Sequence, residues 1–418
     1  MEQSLNNTDY LHEDHEDKER KIIFRDVITD IPSTTYATFG LYRYPAKFIP
    51  QAIAYILKNY GKKGMSVFDP FGGYGTTGLV SRIYGMDYEL WDLNPIIEIL
   101  HKIAIMRSFP VDIESLIRSM KTFKSKFIPD WSRMEYWFDE DILSFLHDIW
   151  GFYHSLEDQQ IKLLLTIPLL RVTRYFSYDD SQRQKLSQSD RSKEKIKKII
   201  AGDAKELFFS MLFKDISKIL AGVNEYQKMN PKNVDSVIRG GVDVRTQPLL
   251  KEKNILLTSP PYLQSQEYIR YAKLDLFWLG YSESLVQELG KKEIPYAKEN
   301  PYPVLSKTFE KHLKHLDGEN AQILFQRYFW SILGCFTRLQ ESISDYMFIF
   351  VGDSSIRGRA VPIDRIIIEH FSELGWNHEE TLVDTIVSRR LFSYRQNPAS
   401  RLIDQRTSVE NMIVLKKV

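Results

Sequence analysis

Met65-Ser66-Val67-Phe68-Asp69-Pro70-Phe71-Gly72-Gly73-Tyr74-Gly75-Thr76-Thr77 is the stretch that decides the fold. Met65 to Phe68 is a short apolar run of the kind a buried strand carries. It leads into a turn with three glycines, and helical apolar spacing follows from Thr76 to Tyr84. Glycines at such a turn let a ligand approach the backbone, and the helix start offers free N–H groups. A tight turn needing positive φ would use the same residues. The next strand, Tyr88 to Trp91, ends in Asp92, about 20 residues past the loop, where a carboxylate can bind a ribose diol. An Asp there can equally cap a helix. Strand, glycine turn, helix, strand and acid together spell a nucleotide-binding βαβ unit.

Moving outward, Pro50 to Tyr60 has helical spacing, and residues 101 to about 235 are dominated by helical spacing with few strand runs. The α/β pattern returns at Val237. Strands are expected at Asn254 to Leu257, Tyr346 to Val351 and Met412 to Leu415. One sheet is therefore built from both ends of the chain. The expected division is a flexible tail over 1–30, a catalytic domain over 31–104 and 236–418, and a helical insertion over 105–235. The acidic run Glu13, Asp14, Glu16, Asp17 and Glu19 suggests the tail.

The 418 residues are 43% apolar, with 23 Tyr and 24 Phe, enough for a large core and unlike a disordered chain. A single cysteine, Cys335, excludes an intramolecular disulfide framework and a Cys-rich zinc site. No run of about 18 apolar residues is present, so a membrane span is not expected. No signal-peptide core is seen either. A cytoplasmic location is expected. The net charge of +1 argues mildly against nucleic acid, but local fields outweigh the total. Between Ser181 and Lys198, Arg183, Lys185, Arg191, Lys193, Lys195, Lys197 and Lys198 face only Asp190 and Glu194. Arg171 and Arg174 lie just before, among aromatics. These form the candidate DNA-facing surface, and a solvated helix face is the alternative.

The strand ending at Leu257 runs into Thr258-Ser259-Pro260-Pro261-Tyr262. Two prolines fix φ and donate no N–H, which leaves rigid carbonyl acceptors between a polar side chain and an aromatic ring. Acceptors could hold an amino group in the plane of a base, and the Tyr262 ring could stack on the base face.

With this string the chain resembles the amino-group DNA methyltransferases, which modify cytosine N4 or adenine N6. Asp69-Pro70-Phe71-Gly72-Gly73-Tyr74-Gly75-Thr76-Thr77 is similar to their cofactor loop, and Ser259-Pro260-Pro261-Tyr262 to their catalytic string. Tyr44-Pro45-Ala46-Lys47-Phe48 resembles the segment that closes over the methionine end of the cofactor. Gly240-Gly241-Val242-Asp243 resembles the loop whose acid contacts its adenine, with Gly202-Asp203-Ala204 as a competing candidate. Glu410 to Leu415 resembles the terminal strand. The likeness covers roughly 36–100 and 237–418. It departs at Gly72, where small or Cys residues are usual, and in the long gap between Asp92 and Asp243.

The resemblance implies a Rossmann-like α/β sheet with helices on both faces. It also implies S-adenosylmethionine as donor, S-adenosylhomocysteine as product and no metal. The partner implied is double-stranded DNA, with a restriction endonuclease encoded nearby. Ser-Pro-Pro-Tyr favours cytosine N4 over adenine N6. An RNA methyltransferase of the same fold, or a binding module without turnover, are the alternatives. Further basic groups, Arg357 and Arg359 beside Ser354, and Arg389, Arg390 and Arg395, are secondary DNA candidates.

Overall fold

The computed structural model describes residues 18–385, apart from 46, 184 and 264–266, and residues 409–418. In chain order the strands are β1 (Glu19–Ile22), β2 (Ser66–Asp69), β3 (Asp87–Asp92), β4 (Ser236–Gly240), β5 (Lys253–Thr258), β6 (Ile343–Gly352), β7 (Ser354–Ile356), β8 (Arg359–Val361), β9 (Trp376–Thr385) and β10 (Val409–Lys417). Among the described residues, eight of them form one sheet in the order β1-β9-β10-β6-β5-β2-β3-β4, and β7 pairs with β8 in a hairpin. The middle is parallel from β6 through β5, β2 and β3 to β4, while β10 runs antiparallel between β6 and β9. This is the Rossmann-like sheet expected from the sequence.

The apolar runs explain the central strands. Val67, Phe68, Ile255, Leu256, Leu257, Met347, Phe348 and Ile349 are fully buried, as strands covered on both faces require. The helix Thr76–Tyr84 begins after Gly75 and ends at Gly85, both in the left-handed region. Gly78 inside it has a structural use the sequence reading passed over. A Cβ there would lie 2.6 Å from the Tyr88 ring, so its absence lets the helix sit close on β3.

Residues 105–235 hold helices and no sheet strand among those described. The helices Ile113–Thr122, Glu140–Ser155, Gln159–Tyr175, Asp190–Ile200 and Ala204–Lys228 start after Asp112, Asp139, Asp158, Ser189 and Asp203. Each of these side chains accepts a backbone N–H of the first turn. The core of this region runs without a break into the core under the sheet. Trp150 stacks on Trp278 with centroids 5.4 Å apart, and the Tyr226 hydroxyl donates to the Leu79 carbonyl at 2.9 Å.

The expected tail is shorter than residues 1–30. Glu19–Ile22 pairs in parallel with β9, Phe24 is fully buried, and Arg20 donates to Glu380 at 2.8 Å. A strand at a sheet edge tolerates charged side chains, so Lys18-Glu19-Arg20-Lys21 reads as solvent-exposed tail although it is paired. Among the described residues no helix is long and apolar enough to cross a membrane.

The shared core leads to a prediction. Trp278→Ala should lower the stability of the whole chain by about 3–5 kcal/mol as a cavity mutation. Urea unfolding should show one transition moved to lower denaturant. A sheet transition left in place would mean that the helices unfold independently.

Candidate active site

The strand order reverses between β2 and β5. From β2 the chain builds outward through β3 and β4, then returns to lay β5 on the other side of β2. Ligands of open α/β sheets bind outside the carboxyl ends of the strands at such a switch point. The glycine loop leaves β2 there, and Ser259-Pro260-Pro261-Tyr262 leaves β5 beside it.

One buried carboxylate joins them. Asp69, 1% exposed, accepts from the Thr258 hydroxyl at 2.6 Å, the Thr77 hydroxyl at 2.6 Å and the Phe71 N–H at 3.1 Å. Burial still pushes its acid up to about 6, against the pull of these donors. Asp69 and Thr77 therefore hold each other and the loop. Thr76 is buried at the helix start.

The loop itself is held to β3. Gly72 N–H donates to the Trp91 carbonyl at 2.7 Å, and Gly73 N–H to Asp92 at 2.8 Å. Asp92 also accepts the Asn94 N–H at 2.7 Å, and burial raises its acid to about 6. A Cβ on Gly73 would meet the Tyr44 ring at 3.0 Å. Tyr44 stacks on Tyr268, with centroids 6.2 Å apart and planes at 19°.

These groups line a single cleft. Its walls include Tyr44, Pro45, Lys47, Pro70, Phe71, Gly72, Gly73, Asp92, Asp243, Ser259 and Pro261 from the residues expected. They also include Asn94, Tyr268, Lys292 and Glu293, which the sequence reading did not select. Ala46 lies outside the described residues. Lys47 donates to the carbonyls of Thr34, at 2.6 Å, and Phe39, and burial lowers its ammonium to about 8. Asp243 is clamped by Arg245, with the closest contact at 2.7 Å. Asp203, the competing candidate, instead caps a helix of the insertion by accepting the Glu206 N–H. Pro260 and Tyr262 are not among the residues lining the cleft, and the Tyr262 hydroxyl donates to Glu410 of β10 at 2.8 Å.

The basic candidates separate into different environments. Arg174, expected on the DNA-facing surface, is built into a charge network inside the protein. Its side chain is 15% exposed, pairs with Asp179 at 2.8 Å and Asp275 at 3.0 Å, and lies over the Tyr271 ring. An arginine beside aromatics in the sequence looks the same whether its carboxylates are near or absent, and Asp275 is remote in the chain. Arg171 pairs with Asp215 at 3.4 Å, Arg183 with Asp180 at 3.7 Å, and Arg191 also with Asp180. Lys185 reaches Glu267 at 3.3 Å, a few residues past Ser259-Pro260-Pro261-Tyr262, and Lys193 is exposed. Arg357 and Arg359 of the β7–β8 hairpin bind Asp317. Arg389, Arg390 and Arg395 lie outside the described residues.

Comparison with known proteins follows the same direction. The Type II methyltransferase M.MvaI of Kocuria varians is 22% identical over 430 residues, covering 92% of this chain and 91% of that protein. The similarity extends over nearly the full length of both chains. A second, M.BsoBI of Geobacillus stearothermophilus, is 25% identical over 312 residues, 67% of this chain and 60% of that protein. No family profile matches the chain. The missed residues Tyr268 and Glu293 carry no motif signal. They reach the cleft only because the helix Tyr268–Trp278 begins there, with Glu293 accepting the Ile269 N–H at 2.9 Å.

Asp69→Ala should destabilise the protein by about 2–4 kcal/mol, because two hydroxyls and an N–H lose a buried acceptor. Arg174→Ala should cost about 3–5 kcal/mol by stranding Asp275 and Asp179. Lys193→Ala should change denaturant stability by less than about 0.5 kcal/mol. If Arg174→Ala proved as mild as Lys193→Ala, the buried network would have no structural weight.

Proposed function

We propose that this chain is an S-adenosylmethionine-dependent, site-specific DNA methyltransferase of a restriction-modification system. Its target is the exocyclic amino group of a flipped base, cytosine N4 in preference to adenine N6. The observation that carries this reading is the joining of two remote segments by Asp69, so that the glycine loop and the Ser259 corner face one cleft. The full-length relatedness to a Type II methyltransferase supports the reaction class.

The residues present suit the cofactor. Gly73, at positive φ and without a side chain, presents bare backbone in the cleft wall. Asp92, at the end of β3, is an acceptor for a ribose diol. Leu93, Val242 and Val244 offer apolar walls for a purine, and Asp243 lies next to them. When bound, S-adenosylmethionine supplies an electrophilic methyl group.

Ser259 and the Pro260 carbonyl accept hydrogen bonds from the target amine. This draws its nitrogen toward tetrahedral geometry and frees its lone pair. The Tyr262 ring stacks on the extruded base. Holding the amine in line supplies much of the rate, and its proton leaves once the nitrogen carries four bonds. Extruding the base costs roughly a few kcal/mol. Basic residues near the cleft, Arg183, Lys185 and Arg191, offset this through phosphate contacts.

Purified protein incubated with duplex DNA and S-adenosylmethionine should yield N4-methylcytosine on nucleoside mass spectrometry. N6-methyladenine instead would keep the enzyme class and change the base, and neither product on varied duplexes would refute the reading. Preference for structured RNA in competition would move the substrate class.

Tyr262→Ala and Pro260→Ala should reduce methyl transfer by about a hundredfold or more while cofactor affinity holds. Asp92→Ala should weaken cofactor binding by about tenfold or more, the worth of a charge-assisted hydrogen bond. Because burial holds the Asp92 acid at about 6, ionisation improves it as an acceptor, and cofactor affinity should rise between pH 5 and 7. Calorimetry on Asp92→Asn should show a smaller rise.

A further inference from the structure

The cleft lining carries three acidic and two basic side chains. Its charged lining residues are Lys47, Asp92, Asp243, Lys292 and Glu293. Three of them have partners elsewhere: Lys47 on backbone carbonyls, Lys292 on Glu288 at 2.6 Å, and Asp243 on Arg245. Among the described residues neither Asp92 nor Glu293 forms an ion pair with a Lys or Arg. Glu293 is 7% exposed, and its Oε1 accepts the Ile269 N–H at 2.9 Å. Burial raises its acid to about 7, and the negative charges of Glu267 and Asp92 add to the effect. A carboxylate buried without a counter-ion is costly, and the aromatic faces of Tyr44 and Tyr268 in the same cleft also suit a cation.

We propose that Glu293 makes the cleft discriminate between the methyl donor, of net charge +1, and its net-neutral product. This rests on the reading of the cleft as the S-adenosylmethionine site. The donor carries a sulfonium, an ammonium and a carboxylate, net +1. Loss of the methyl group turns the sulfonium into a thioether, and S-adenosylhomocysteine has no net charge. Adenine, ribose and amino-acid contacts are common to both, so the charge on sulfur is the main difference that a nearby carboxylate can sense. As the methyl group leaves sulfur, attraction to Glu293 and Asp92 falls, which favours release of the product. Glu293 is a specificity residue in this account.

The test is calorimetric binding of S-adenosylmethionine and S-adenosylhomocysteine, each alone, at pH 8, to wild type and two variants. Glu293→Gln keeps an oxygen for the Ile269 N–H and removes the charge. It should weaken donor binding about fivefold or more and product binding less than about twofold. Glu293→Asp keeps the charge and should hold the donor-to-product ratio within about twofold of wild type. Equal losses for both ligands in Glu293→Gln, an unchanged ratio, or a ratio lost equally in Glu293→Asp would overturn the role of Glu293 and leave the cofactor reading standing. Wild type that binds neither ligand would overturn that reading itself.

Discussion

A carboxylate with no ion pair among the described residues, Asp69, sets the geometry on which the rest of the cleft depends. It accepts from β5 through Thr258, from the following helix through Thr77, and from the glycine loop through Phe71. An ionised carboxylate is an acceptor only, with room for several donors, so one side chain can serve all three. Burial opposes the charge and the donors favour it, and burial prevails enough to hold the acid near 6. The result is a rigid separation between the loop leaving β2 and the proline corner leaving β5. Catalysis by positioning needs such a separation more than it needs a strong acid or base.

A second buried network connects the helical region to the cleft. Asp275, on the helix that begins at Tyr268, accepts from Arg174 at 3.0 Å and from the Tyr42 hydroxyl. Tyr42 lies two residues before Tyr44, which faces the glycine loop. Arg43 between them donates to the Ser181 carbonyl, and Lys185 in the same loop pairs with Glu267. The helical segment is thus bound to both sides of the cleft through residues adjacent to those that line it. A surface that meets DNA at 181–191 would act on the same elements that shape the cleft.

Much of the architecture was legible in the chain because its signals are local. Strands buried in the middle of the sheet are continuous apolar runs, so β2, β3, β5, β6 and the antiparallel β10 were readable to within a few residues. Glycines at a strand-to-helix turn and prolines after a strand act through their own backbones, and their positions announce them. Edge strand β1 was not readable, since its charged side chains resemble a tail and its partner β9 lies some 360 residues away. The internal network of Arg174 was hidden for a related reason: its three partners on Asp179, Asp275 and Tyr271 come mostly from a distant helix.

What the sequence alone determined was the pair of motifs and the sheet between them, because backbone constraints and hydrophobic periodicity belong to neighbouring residues. Only the tertiary structure decided which charges are spent inside the protein and which face the cleft. Asp69 proved to be an internal tie, Asp243 a partner of Arg245, and Glu293 a carboxylate in the wall without an ion pair among the described residues. Charge is a long-range quantity. Its effect depends on burial and on partners that the fold brings from far along the chain, and a linear reading contains neither.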